Sequence, residues 1–235
     1  MNLGIIAAGE GSRMRAEGFA LPKPLVSISG RPLIDRIIDA GVHAGVSRIA
    51  CIVNEQSPEL VDHLRRKSTD AEIALLVRST PSSMHSLFAL APLLGDGDFC
   101  LATADTVFQE EEFMQFLMYA GQIQNTDGLL AVTQFVDDEK PLYAAMDDER
   151  RIVNFSDTLE GTHWVTGGVY YFSSRIFAEI ETAYRRRIER LRNFLRLLLE
   201  KGYRLAGYPF SKMIDVDHVH DVSVAEEFLR NQNQG

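Results

Sequence analysis

Short apolar runs alternate with stretches of helical periodicity along the first half of the chain. Leu3–Ala8 reads as a buried strand. Arg31–Ala44 places Leu33, Ile34, Ile37, Ile38 and Val42 at helical spacing, and Gly45 follows as a stop. Arg48–Asn54 reads as a second strand, and Ser57-Pro58 caps and opens a helix that runs to Lys67. Glu72–Val77 gives a third strand, Ser83–Leu94 a helix and Asp98–Thr103 a fourth strand. This rhythm predicts crossover units and a mainly parallel sheet. After Gly128 the runs come closer together, at Leu129–Phe135, Leu142–Met146, Arg151–Phe155 and Val165–Phe172, the pattern of antiparallel additions at a sheet edge. Arg185–Lys201 reads as one arginine-rich helix with an apolar stripe and a solvated basic face. The prediction is a single α/β domain over residues 1–235, with a mainly parallel mixed sheet flanked by helices.

Composition narrows the function classes. The 24 basic and 33 acidic residues leave a net charge of −9, which argues against a broad nucleic-acid surface but not against a small anion held by a local cluster of cations. Cys51 and Cys100 lie inside apolar runs without metal or redox spacing, so both are expected in the core. The first apolar run lacks a basic preceding region and ends at Gly9–Glu10, too short for a signal peptide or a membrane span. A cytoplasmic location with no membrane partner is the expectation.

The candidate chemistry starts at Ala7-Ala8-Gly9-Glu10-Gly11-Ser12-Arg13-Met14, followed by Pro22-Lys23-Pro24-Leu25. Met14 stands where a dinucleotide fingerprint needs its third glycine, and the chain has no Gly-Lys-Ser/Thr triplet to close a P-loop. Phosphate still fits. Gly9 and Gly11 allow positive φ and a close approach of backbone N–H groups, and Arg13 offers a planar fork for phosphate oxygens. Pro22 and Pro24 stiffen the chain on either side of Lys23 and bias it toward an extended conformation.

This composite pattern resembles the signature of the nucleotidyltransferase superfamily, which includes the sugar-1-phosphate nucleotidylyltransferases and the small phosphocholine cytidylyltransferases. The resemblance implies a Rossmann-like (GT-A-type) fold, with about residues 1–125 binding the nucleotide and about 126–235 the acceptor. It implies Arg13 and Lys23 as catalytic residues, and nucleotide contacts from Ala7, Ala8, Gly9, Gly11, Ser12 and Arg13. A metal-binding aspartate at the end of a central strand falls on Asp105, with Ala104 in place of the usual glycine. A second carboxylate falls in Ile214–Asp221, where Asp217 is the closer match and Asp215 a rival; both point to Mg²⁺ as cofactor. His218 and His220 alongside admit a transition-metal reading, although neighbours on an extended segment face opposite ways.

Two segments depart from the family pattern. Thr80–Leu90 replaces the usual Gly-Thr-Ala, so Ser82, Ser83 and Ser86 are the candidate nucleotide contacts there. The only Glu-Lys-Pro triplet, Glu139–Pro141, falls too early, and "SDTLEGTHW" occupies its expected place. Trp164, Gly167 and Gly168 are candidate acceptor contacts, with core packing the alternative for Trp164. The expected reaction joins an NTP and a small phosphorylated acceptor, a sugar-1-phosphate or a phosphate such as phosphocholine, and releases pyrophosphate. A degenerate nucleotide-binding regulatory module is the alternative of another class, and the pattern sets no oligomeric state.

Overall fold

A computed structural model describes residues 1–136, 140–159 and 161–232. Glu139 of the Glu-Lys-Pro triplet, Glu160 of the segment before Trp164, and the last three positions of the 1–235 span lie outside these residues. The first half comprises β1 (Asn2–Ala7), α1 (Ser12–Ala16), β2 (Ser27–Ile28), β3 (Arg31–Pro32), α2 (Leu33–His43), β4 (Arg48–Val53), α3 (Pro58–Arg66), β5 (Glu72–Val77) and α4 (Ser83–Leu94). Next come β6 (Phe99–Thr103), β7 (Thr106–Val107), α5 (Glu110–Ala120), β8 (Gly128–Thr133), β9 (Tyr143–Met146), β10 (Ile152–Ser156) and β11 (Val165–Phe172). The chain ends with α6 (Ile180–Arg185), α7 (Leu191–Glu200), β12 (Leu205–Pro209), β13 (Ile214–Asp215) and α8 (Val219–Gln232).

Nine strands form one sheet. β5, β4, β1 and β6 lie side by side and parallel. β11 adds antiparallel to β6, and β8 pairs antiparallel with β11 and parallel with β12. The β9–β10 hairpin extends the sheet beyond Val165 of β11. From β1 the chain crosses to β4 and β5 on one side, then returns to β6 on the other. The strand order therefore reverses between β1 and β6, where the loops after the two carboxyl ends part and leave a crevice.

Both faces of the sheet are covered, which is why its central strands read as unbroken apolar runs. Leu3 and Ile5 pack with α2 and α5 through Ile34, Ile37, Phe113 and Phe116. Ile6 and Leu101 pack on the opposite face with Met84, Leu87 and Phe194 of α4 and α7. Cys51 and Cys100 are fully buried, and burial pushes the Cys51 thiol up to about 12. Among the described residues no helix is long and apolar enough to cross a membrane.

A helix break and an added strand of the main sheet differ from the sequence expectation. The predicted helix over 185–201 is broken: α6 ends at Arg185 and α7 starts at Leu191. Arg187 sits at φ +55°, while the Arg187 and Ile188 amides bond the carbonyls of Tyr184 and Ala183, a Schellman ending. Such an ending favours glycine, so an arginine there hides it from the sequence. β12 has no counterpart among the predicted strands, because Gly207 and Pro209 weaken the strand pattern. A Cβ on Gly207 would lie 2.2 Å from Met146 Sδ, so the glycine leaves room for that flexible side chain against β12.

Candidate active site

β1 delivers the chain to the crevice at Ala7, and Gly11 turns it into α1 with φ +58°. Gly9 is not in the left-handed region; a Cβ there would meet open space. A Cβ on Gly11 would lie 3.1 Å from Lys23 Cβ, so the glycine lets the Pro22–Pro24 segment close against the loop. Lys23 does not sit on an extended segment as predicted. It begins a 3-10 turn closed by Leu25 N to Pro22 O (2.8 Å) and Val26 N to Lys23 O (3.0 Å). These two bonds overcome the bias that Pro24 places on the residue before it. Pro22, with ψ 134°, and Val26, with ψ 128°, flank the turn in extended conformation.

Asp105 follows β6 on the far side of the crevice. β13 pairs antiparallel with β7, setting Asp215 opposite Thr106, and the Val216 amide bonds the Asp105 carbonyl at 3.0 Å. Met14, Val26, Leu33, Val107, Ile214 and Val216 share a small core beneath this junction. Asp217 is thereby carried beside Asp105. Its own turn is fixed by Asp221, whose Oδ2 accepts from the Asp217 amide (2.8 Å) and the His218 amide (2.6 Å).

Lys23 joins the two carboxylates. Its Nζ donates to Asp105 Oδ2 at 2.9 Å and to Asp217 Oδ1, and Arg13 Nη1 donates to Asp217 Oδ2 at 2.6 Å. The Lys23 side chain is only 10% exposed. Burial disfavours its charge, but Asp105 and Asp217 outweigh burial and hold its pKa above the ordinary lysine value. Burial likewise works against the Asp105 carboxylate, yet the Lys23 charge and hydrogen bonds from Lys23 and Thr103 bring its pKa below the usual carboxylate range. Both groups are charged at neutral pH.

Beside Asp105 opens a cavity of about 260 Å³, walled in part by Ser83, Thr103, Tyr170, Arg192 and Asp215. Of the three candidate serines, only Ser83 is on its wall. Ser82 Oγ pairs with His85 Nδ1 at 2.9 Å, and Ser86 is buried against Thr80 Oγ1 at 2.6 Å. Gly168 also lines the cavity, at a bulge in β11 where the register against β8 shifts. It has φ +62°, and a Cβ would fall 2.4 Å from Thr106 Oγ1 and 2.5 Å from Thr103 Oγ1. Thr106 Oγ1 in turn donates to Asp215 Oδ1 at 2.7 Å. Gly168→Ala is therefore expected to cost about 1–3 kcal/mol in denaturant unfolding, and an unchanged midpoint would contradict this packing. Gly167 faces Met213, whose Sδ would be 2.3 Å from a Cβ.

Trp164 is half-buried and packs against the apolar cluster that holds α4 and α7; the residues walling the cavity do not include it. Trp164→Ala is expected to lower stability by about 2 kcal/mol, below the usual range for a fully buried aromatic. Loss of acceptor affinity at unchanged melting temperature would reverse that assignment. Thr103, Thr166, Tyr170 and Arg192 at the cavity had no motif to mark them in the sequence. Arg192 could be glimpsed only as one cation of the arginine-rich segment.

The family model described as Nucleotidyl transferase matches residues 4–232. The chain belongs to this family. Among curated nucleotidyltransferase relatives, it is 27% identical over 233 residues to the bifunctional protein GlmU of Methanocaldococcus jannaschii, a match covering 96% of this chain and 53% of that protein. It is 32% identical over 115 residues to the 2-aminoethylphosphonate cytidylyltransferase of Lancefieldella rimae, covering 47% of this chain and 45% of that one. The chain spans about half the length of the curated relatives it matches. The fold is that of the inositol-1-phosphate CTP transferase of T. maritima, with TM-score 0.79 at 18% identity over 96% of this chain and 93% of the other. A UDP-glucose pyrophosphorylase complexed with UDP-glucose gives TM-score 0.82 at 15% identity over 98% of each chain.

Among the described residues no three His, Cys, Asp or Glu side chains gather as a protein cage for a metal. His218 Nδ1 pairs instead with Glu17 Oε1 at 2.5 Å, which takes it away from the Asp105–Asp217 junction. What remains is two carboxylates on one lysine, hard oxygen donors that fit an ion such as Mg²⁺, which keeps waters and takes its other ligands from substrate phosphates.

Proposed function

We propose that this chain is a Mg²⁺-dependent nucleotidylyltransferase that joins an NTP to a small phosphorylated acceptor and releases pyrophosphate. One observation carries the reading. Arg13 and Lys23 from the stretch after β1, Asp105 after β6 and Asp217 after β13 converge at the carboxyl ends of β1 and β6 beside a cavity large enough for a small acceptor. The acceptor phosphate oxygen attacks the α-phosphorus in line, its bond forming as the bond to pyrophosphate breaks. That oxygen is already anionic, so no general base is required. Positioning and charge neutralisation carry the step.

In this reading the Gly9–Ser12 backbone and Arg13 receive the triphosphate, and Lys23 neutralises charge that builds at the α-phosphate. Asp105 and Asp217 would hold Mg²⁺, which when bound supplies Lewis-acid charge at the phosphates. Arg192 and Ser83 on the cavity wall are positioned to receive the acceptor's polar groups. The presence of all four charged groups favours an enzyme over a regulatory module, since sensing a nucleotide needs no carboxylate pair.

A sugar-1-phosphate is the first acceptor class. An amino-alcohol phosphate or related small phosphate, activated with CTP, is the second. Asp215 on the cavity wall and the likeness to the 2-aminoethylphosphonate cytidylyltransferase favour the second. A pyrophosphate-release screen crossing the NTPs with both acceptor panels tests the reading. Turnover is expected with one NTP and one acceptor class in the presence of Mg²⁺, and no release from any pair would overturn it.

A further inference from the structure

We propose that Lys23 and Arg13 compete with divalent cations for Asp105 and Asp217, and give way only to a cation that arrives together with a polyphosphate. The proposal rests on the nucleotidyl-transfer reading above and adds an order to it: metal and nucleotide enter as one unit, and a bare divalent ion is turned away.

The geometry carries the argument. Both oxygens of Asp217 accept from a cation, Oδ1 from Lys23 and Oδ2 from Arg13, while Asp105 Oδ2 accepts from the same Lys23 ammonium. A divalent ion reaching for these oxygens must come within a few ångströms of a fixed positive charge. Lys23 cannot simply leave: its side chain is largely buried, and carrying its charge away from both carboxylates without a new anion strands it. An ion bound to polyphosphate removes this obstacle. The incoming phosphate oxygens offer Lys23 and Arg13 new partners as the carboxylates turn to the metal, and no charge is left unpaired at any stage. The backbone need not move, because the 3-10 turn and the contact at Gly11 hold the root of Lys23 while its flexible stem swings the ammonium. Arg13 is well exposed, and its planar fork suits phosphate oxygens as it suits the Asp217 carboxylate.

The test uses MnCl₂ as the probe, read by the electron paramagnetic resonance of free Mn²⁺, with and without inorganic pyrophosphate and against buffer controls for the Mn²⁺–pyrophosphate complex. Wild type is expected to take up Mn²⁺ poorly alone and well with pyrophosphate. Lys23→Gln is expected to bind Mn²⁺ alone at least about tenfold more tightly than wild type, because a like charge beside the carboxylates is gone. Lys23→Arg keeps the charge and should resemble wild type. MgCl₂ alone should raise the melting temperature of Lys23→Gln and leave that of wild type unmoved. If Lys23→Gln fails to fold, Arg13→Gln is read in the same way, with a smaller gain expected from removing an exposed cation. Equal Mn²⁺ affinity of wild type and the uncharged variant, without pyrophosphate, overturns the competition and leaves the metal reading standing. No Mn²⁺ uptake by any of these proteins, with pyrophosphate present, overturns the metal reading as well.

Discussion

Lys23→Ala is expected to lower turnover by about a hundredfold to a thousandfold, the effect of removing a charge aimed at a developing anion. The loss should fall on kcat at least as heavily as on the KM for NTP, because Lys23 is assigned to charge that grows at the α-phosphate during the step. A variant with near-normal turnover would sink the assignment. The same substitution should also reduce stability, since Asp105 and Asp217 then face each other without the shared ammonium. Solvent reaches both carboxylates, so the stability cost stays below that of stranding a fully buried charge.

The stability difference between wild type and Lys23→Ala should depend on pH in a definite way. Asp105 has a native pKa below the ordinary carboxylate value, so its contribution is present above that ordinary value and is lost as pH falls through the native one. Lys23 has a native pKa above the ordinary lysine value, so its contribution is present below the ordinary value and is lost as pH rises through the native one. Melting temperatures of the two proteins should therefore differ most between the ordinary carboxylate and ordinary lysine values, from mildly acidic to mildly alkaline pH, and converge toward both extremes. A difference independent of pH would mean that the pair makes no electrostatic contribution.

Much of this arrangement could be read along the chain, for identifiable reasons. β1, β4 and β6 are buried on both faces and β5 is half-buried at the sheet edge, so each appears as an apolar run with little polar interruption. The nucleotide loop is local: Gly11, Arg13 and Lys23 lie within one short stretch, and glycine and proline mark its bends. Asp105 could be placed because the resemblance sets a carboxylate just past the end of a central strand, and β6 is legible as that strand. What could not be read is what depends on distant partners. The resemblance alone paired Asp217 with Asp105; the contact that joins them, β13 on β7, links two-residue strands far apart in sequence that carry no periodicity. Lys23 as a bridge between the two carboxylates follows from that pairing. The cavity wall takes Ser83 from α4, Tyr170 from β11 and Arg192 from α7, joined only when the sheet is complete. The break at Arg187 was hidden by an arginine in a left-handed position, and the packing of Gly168 against Thr103 and Thr106 had no mark in the sequence.

Asp105→Ala and Asp217→Ala should each lower metal-dependent turnover by about a thousandfold or more, and the double variant should be little worse than either single. The reason is shared function. If the two carboxylates hold one ion between them, losing one already removes most of the charge that the ion brings to the phosphates, so the second has little left to lose. Stability should show coupling too, because both carboxylates meet the same ammonium: removing Asp105 leaves Lys23 with Asp217, and removing both strands it. The double variant should accordingly be less stable than the sum of the two singles by about 0.5–3 kcal/mol, the range for residues in one network. Asp215→Ala serves as the comparison. Asp215 lines the cavity and accepts from Thr106, so its loss should raise the KM for the acceptor more than that for NTP and leave the metal requirement in place. If Asp215→Ala instead abolishes Mg²⁺-dependent turnover while Asp217→Ala keeps it, the second ligand is Asp215. Multiplicative losses in the Asp105–Asp217 cycle, or full wild-type activity in EDTA, would remove the shared ion from the mechanism altogether.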